Sequence, residues 1–171
     1  MEKKNLNIEE TFLLALQSHK KNDFESAEKF YNKVLKTNPN HFNSIFYLAS
    51  LSAQTKNYTK AKNLFEKIIH IKPNYDVAHA NLGAVLKELG QFKEAVDACK
   101  KAIVIQPNNS VAYSNLGAAL KELGQFKETV DACKKAIAIE PKNFSAYHNL
   151  ALALKELGEI KKAISCYEKL S

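Results

Sequence analysis

Three asparagines, Asn81, Asn115 and Asn149, stand 34 residues apart. A side-chain amide offers one acceptor and two donors, which matches the peptide unit of an extended chain. Asparagine is also a mediocre helix-interior residue, costing roughly half a kcal/mol relative to alanine. On a helix of 100° per residue, Val77, Ala84 and Glu88 fall within about 60° of Asn81, and Lys87 lies on the flank. Glu122 with Lys121 and Glu156 with Lys155 repeat that arrangement. The candidate partner-binding residues are therefore Asn81, Asn115 and Asn149, with Glu88, Glu122 and Glu156, and Lys87, Lys121 and Lys155. The alternative is that the amides bond neighbouring helices or water and merely hold the stack together.

No other constellation carries chemistry. The 5 glycines never cluster before a helix as a phosphate loop requires, and no His-Glu-x-x-His, calcium loop or Gly-x-Ser-x-Gly occurs. Cys99 and Cys133 hold the same place in successive blocks, so they sit about 8–10 Å apart or more, beyond disulfide or metal reach. With Cys166 they read as buried structural thiols. His79 shares its place with Tyr113 and Tyr147, while His19, His41 and His70 share none. Asp97 and Asp131 have lysines at i+3 and i+4, which makes a solvated helix face. The expectation is a non-enzyme with no metal and no cofactor.

The elements that would position the asparagines follow from the prolines. Pro39, Pro73, Pro107 and Pro141 stand at one interval of 34 residues, the signature of a repeat array. Five blocks result, 8–41, 42–75, 76–109, 110–143 and 144–171, the last truncated, after a flexible N-terminal segment 1–7. Blocks three and four are identical at 26 of 34 places. Within a block the apolar residues fall at helical spacing on both sides of a central break. Gly90, Gly124 and Gly158 mark that break, and Asn22 takes the place in block one. Block two has Lys56 and Asn57 there. Asn40, Asn74, Asn109 and Asn143 precede the next helix and are candidate N-caps. Small residues recur where two helices must approach: Ala15, Ala49, Gly83, Gly117 and Ala151 at one place, Ala27, Ala61, Ala95, Thr129 and Ala163 at another. Phe24, Tyr58, Phe92 and Phe126 recur as packing wedges, with Ile160 departing.

The period, the Asn-Leu-Gly triplet, the paired small residues of the second helix and the closing proline resemble the tetratricopeptide repeat over Ile8 to Ser171. Blocks one and two lack the triplet but keep Ala27, Tyr31, Pro39 and Ala61, Phe65, Pro73. The resemblance implies an all-α fold, a right-handed α-solenoid superhelix of five stacked helix-turn-helix units with first helices lining a concave groove. The later repeats are similar to the repeat region of O-linked N-acetylglucosamine transferases, which implies an asparagine ladder gripping bound polypeptide. Leu13 and Tyr47 stand where blocks one and two would need asparagine. Repeat proteins that clamp acidic chaperone tails place lysines in the groove; here those places carry Glu9, Phe12, Leu13, Asn43, Phe46, Tyr47, Val77, Ala80 and Asn81.

The expected function is a protein–protein interaction module, an adaptor or scaffold taking an extended segment in its groove. The alternative is the substrate-recruiting part of a larger glycosyltransferase, since Ile164, Tyr167 and Leu170 have no polar capping helix after them. That bare end also allows self-association. All 25 basic residues are lysine, so the net charge of +7 lacks arginine's bidentate fork and argues against a nucleic-acid reader. The apolar run Phe12–Leu16 is too short for secretion or for a membrane span. With an odd set of 3 cysteines, this predicts a protein of the reducing cytoplasm with no membrane partner.

Overall fold

The computed structural model describes residues 7–169. They form ten α-helices and no strand. The chain divides into two compact units, residues 1–73 and 74–171. The first unit holds α1 (Ile8–Lys20), α2 (Phe24–Thr37), α3 (Phe42–Gln54) and α4 (Tyr58–Ile71). The second holds α5 (Asp76–Glu88), α6 (Phe92–Ile105), α7 (Ser110–Glu122), α8 (Phe126–Ile139), α9 (Phe144–Glu156) and α10 (Ile160–Glu168). Within each unit, helices pair as hairpins, and the second helix of one hairpin packs on the first helix of the next.

Each hairpin turns through one left-handed residue. Gly90, Gly124 and Gly158 have φ of 73°, 72° and 78°. Asn22 (φ 59°) and Lys56 (φ 62°) adopt the same conformation with side chains attached. A lysine suffers a steric penalty of about 1–2 kcal/mol there, so the packing of α3 on α4 over-determines that turn.

Caps fix the helix starts, and here the structure corrects the sequence. Asn109 and Asn143 accept hydrogen bonds from the amides of Ala112 and Ala146 as N-caps of α7 and α9. Asn40 and Asn74 lie one residue too early: His41 caps α3 through Ser44 N, and Tyr75 precedes α5 with no side-chain cap. A cap reaches the N2 or N3 amide only from the residue bordering the first turn, so a shift of one place removes it. Of the segment 1–7 expected to be flexible, residues 1–6 lie outside the described residues. Asn7 is ordered as the N-cap of α1, in a capping box with Glu10.

Small residues set the helix spacing. Ala15, Ala49 and Ala151 are fully buried, as are Ala27, Ala61, Ala95 and Thr129. Gly83 and Gly117 face the thiols of Cys99 and Cys133; a Cβ built on them would stand 2.4 and 2.6 Å from Sγ. Phe24, Tyr58, Phe92 and Phe126 are half-buried wedges, whereas Ile160 is 51% exposed.

Candidate functional site

The second unit carries all three asparagines on its first helices: Asn81 on α5, Asn115 on α7 and Asn149 on α9. Helix α7 packs against both α5 and α9, so the three side chains sit on consecutive neighbours. Asn81 and Asn115 are half-buried, and Asn149 is 8% exposed. Asn115 Nδ2 donates to the backbone oxygen of Ala80 at 3.0 Å, tying α7 to α5 and leaving Oδ1 as an acceptor. Among the described residues, no hydrogen bond engages the amides of Asn81 or Asn149, although no buried polar side-chain atom goes unsatisfied. One amide of three is thus engaged by the stack itself.

The flanking charges neutralise each other. Lys87 pairs with Glu88, and Lys121 with Glu122 at 3.1 Å. Lys155 and Glu156 are exposed at the equivalent place. Half-buried Ala84, Ala118 and Leu152 lie between the asparagines and the charge pairs in sequence, and Val111 is 49% exposed. The face therefore offers amides and modest apolar surface with no net charge, a combination suited to a main chain more than to a charged ligand.

Side-chain bonds join the two ends of blocks three and four. Asn109 Nδ2 donates to Asp76 Oδ2 at 2.8 Å, and Ser110 Oγ donates to Glu140 Oε2 at 2.6 Å. The first ties the N-cap of α7 to the first residue of α5, and the second ties the first residue of α7 to the C-cap of α8. The Cys99 and Cys133 thiols lie inside their hairpins, against Gly83 and Gly117. Burial pushes Cys99 and Cys133 up to about 12 and raises Cys166, so all three are free, protonated and inert at neutral pH. Among the described residues, no group of three His, Cys, Asp or Glu could hold a metal ion, and no helix is long and apolar enough to cross a membrane.

The first unit contains a feature that sequence reasoning passed over. Tyr47 is 37% exposed and Leu13 is 56% exposed. The Tyr47 ring lies 5.7 Å from Phe46 and 6.0 Å from Phe12, and stacks on Tyr31 at 6.3 Å with planes 7° apart. Tyr31 is fully buried; burial raises its hydroxyl far above the usual tyrosine range, and that hydroxyl meets His19 Nδ1 at 3.3 Å. His19 Nε2 in turn reaches Gln54 Oε1 at 3.2 Å. In the 34-residue register His19 and Gln54 stand at the places of Lys87 and Glu88. That register was the available signal.

Family and structural comparisons agree with this architecture. The chain matches the tetratricopeptide repeat over residues 18–86, 77–109, 110–143 and 132–165. It belongs to the tetratricopeptide repeat family, whose members are protein-interaction modules. No curated protein matches the sequence. Among solved structures, MamA from Desulfovibrio magneticus RS-1 is similar with TM-score 0.84 and 20% identity, covering 95% of this chain and 92% of that one. PilW, a widely conserved type IV pilus biogenesis factor, has TM-score 0.86 and 23% identity over 95% of this chain and 76% of its own. YrrB, described as a repeat protein of this family with an unusual peptide-binding site, has TM-score 0.74 and 21% identity over 96% and 84%. At these identities the likeness establishes the fold.

Proposed function

We propose that the chain is a non-catalytic adaptor or scaffold that holds an extended segment of another protein against the face bearing Asn81, Asn115 and Asn149. The observation that carries this reading is the repetition of one amide on three consecutive packed helices, two of them without a hydrogen-bond partner among the described residues. The flanking Lys87–Glu88 and Lys121–Glu122 pairs cancel, so the segment is held by main-chain hydrogen bonds and small apolar contacts. Three amide contacts at about 0.5–1.5 kcal/mol each amount to millimolar affinity or weaker. Useful binding therefore draws on side-chain contacts or on avidity. The partner is protein, neither nucleic acid nor membrane, and the three protonated thiols fit a reducing, cytoplasmic setting. Self-association through the last repeat is a second mode of partnership. The same asparagine face would recruit substrate if the chain serves a larger transferase of the O-linked N-acetylglucosamine type.

The test uses peptides selected from a random twelve-residue display library on the full chain, with affinities read by fluorescence anisotropy. The triple substitution Asn81→Ala, Asn115→Ala and Asn149→Ala weakens the selected peptides by tenfold or more, about 1.4 kcal/mol or above. N-methylation at alternate peptide bonds weakens binding to the original chain but not to the triple variant. Unchanged affinity in a folded triple variant sinks the proposal. Stability separates the roles: Asn115→Ala costs about 1 kcal/mol through the lost bond to Ala80, while Asn81→Ala is neutral or stabilising.

A further inference from the structure

The three asparagines differ in what they still offer a ligand. Asn115 Nδ2 is engaged by the backbone oxygen of Ala80 at 3.0 Å, so this side chain presents Oδ1 and recognises a hydrogen-bond donor. Asn81 and Asn149 have no hydrogen bond among the described residues and keep an acceptor and two donors each. Helix spacing then limits the backbone that can meet all three. Helix α7 packs on α5 and on α9, and packed helices lie about 8–10 Å apart, so a segment crossing them meets one asparagine in each such interval. A β-strand returns a peptide group to the same side after two residues, about 6.7 Å, or after four, about 13 Å, and neither distance fits. A polyproline II helix has three residues per turn at about 3.1 Å each, so its peptide groups repeat on one side every turn, about 9.3 Å. Its backbone makes no internal hydrogen bonds and leaves N–H and C=O groups open to pairing.

We infer that the partner segment is a proline-rich polyproline II helix in which every third residue, the one opposite an asparagine, is not proline. This rests on the reading of Asn81, Asn115 and Asn149 as the partner-binding face and names the class of segment that face takes. The central contact is the most demanding. Proline has no backbone N–H, so it cannot supply the donor that Asn115 Oδ1 requires. At the two intervening places proline is favoured, because its φ of about −65° holds the bound conformation in advance and lowers the entropy lost on binding. Small apolar surface is available there for the rings: Ala84, Ala118 and Leu152 are half-buried, and Val111 is 49% exposed. Lys87 and Lys121 are paired with Glu88 and Glu122, which matches an uncharged segment.

Titration of the nitrogen-labelled full chain with nine-residue peptides, followed by NMR into the millimolar range, reads the outcome. A peptide of three Pro-Pro-Ala triplets binds and shifts the side-chain amide signals of the three asparagines. A peptide of the same composition, with its alanines two and then four places apart, binds about fivefold more weakly. Replacing the middle alanine by lactic acid puts an ester oxygen where the N–H stood and also weakens binding about fivefold, the worth of one hydrogen bond. Asn115→Ala, checked as folded by circular dichroism, binds the alanine peptide about fivefold more weakly and no longer distinguishes it from the ester. The peptide comparisons on the native chain stand without that variant. Equal affinity for the two alanine spacings, or an ester that binds as tightly as the amide, overturns the inference. Either result leaves untouched the dependence of library-selected peptides on the three asparagines, whereas loss of that dependence removes the face itself.

Discussion

Replacing Gly83 by alanine probes the closest helix approach in the second unit. The added Cβ would stand 2.4 Å from Cys99 Sγ and 3.2 Å from the backbone oxygen of Ala95. Cys99 is fully buried, so neither the thiol nor the backbone can yield into solvent. Overpacking of this kind costs about 1–3 kcal/mol, and a gap short by more than about 1 Å puts it at the upper end. Alanine regains about 1 kcal/mol of helix propensity over glycine. The net expectation is a loss of about 2 kcal/mol. Urea unfolding followed by circular dichroism at 222 nm measures it. Cys99→Ala alone costs about 1–2 kcal/mol for the lost burial, but it vacates the space that the new methyl needs. The double variant Gly83→Ala with Cys99→Ala is therefore no less stable than Cys99→Ala by itself, a coupling of about 2 kcal/mol. Other repeats pair these two columns differently, with alanine at Ala15, Ala49 and Ala151 and an aromatic ring, Tyr31, Phe65 or Tyr167, in place of the cysteine. Additivity of the two single substitutions within about 0.5 kcal/mol would refute the steric account. Gly90→Ala, with nothing within 4 Å but φ of +73°, costs about 1 kcal/mol of backbone strain and couples to no cysteine.

Caps and thiols give two more expected outcomes. Asn109→Ala removes both the cap on Ala112 N and the bond to Asp76, lowering stability by about 1–2 kcal/mol, whereas Asn40→Ala changes it by less than about 0.5 kcal/mol; thermal melts of the two variants compare them directly. Cys99 and Cys133 have folded pKa values of about 12 against an ordinary 9.0, so the folded state holds these protons more tightly than the unfolded chain. Their contribution is complete below about pH 9 and is lost as pH rises toward about 12. The urea midpoint of the native chain falls across that window more steeply than that of a Cys99→Ala and Cys133→Ala variant, and parallel curves would contradict the assignment.

Much of the framework was legible because its determinants are local. Helix periodicity, the left-handed glycines and the closing prolines act within a few residues of themselves, so the hairpins could be read block by block. Positions such as Ala15 and Ala27 announced close packing by size alone, and both are fully buried. The Gly83–Cys99 and Gly117–Cys133 contacts were legible only as two separate columns of small residues; their dependence on each other is a matter of Sγ direction. Asn109 and Asn143 cap as read, whereas Asn40 and Asn74 miss by a single residue. Asn40 and His41 are both able to cap by side-chain chemistry, and the choice rests on where the first turn closes.

The face proposed to bind a partner divides in the same way. Its membership was set by the 34-residue register, since equal places on equal helices recur on one side. Which amides remain available was decided in three dimensions, where Asn115 reached the carbonyl of Ala80 on another helix. The aromatic stack of Tyr47 on Tyr31 and the His19 bridge to Gln54 likewise join side chains from different helices. Sequence by itself determined the repeat, the helix pairs and the periodic columns, because these depend on interactions a few residues long. Only tertiary structure decided which polar groups are satisfied and which apolar ones stay open, because hydrogen bonding and burial are set by neighbours brought together by packing.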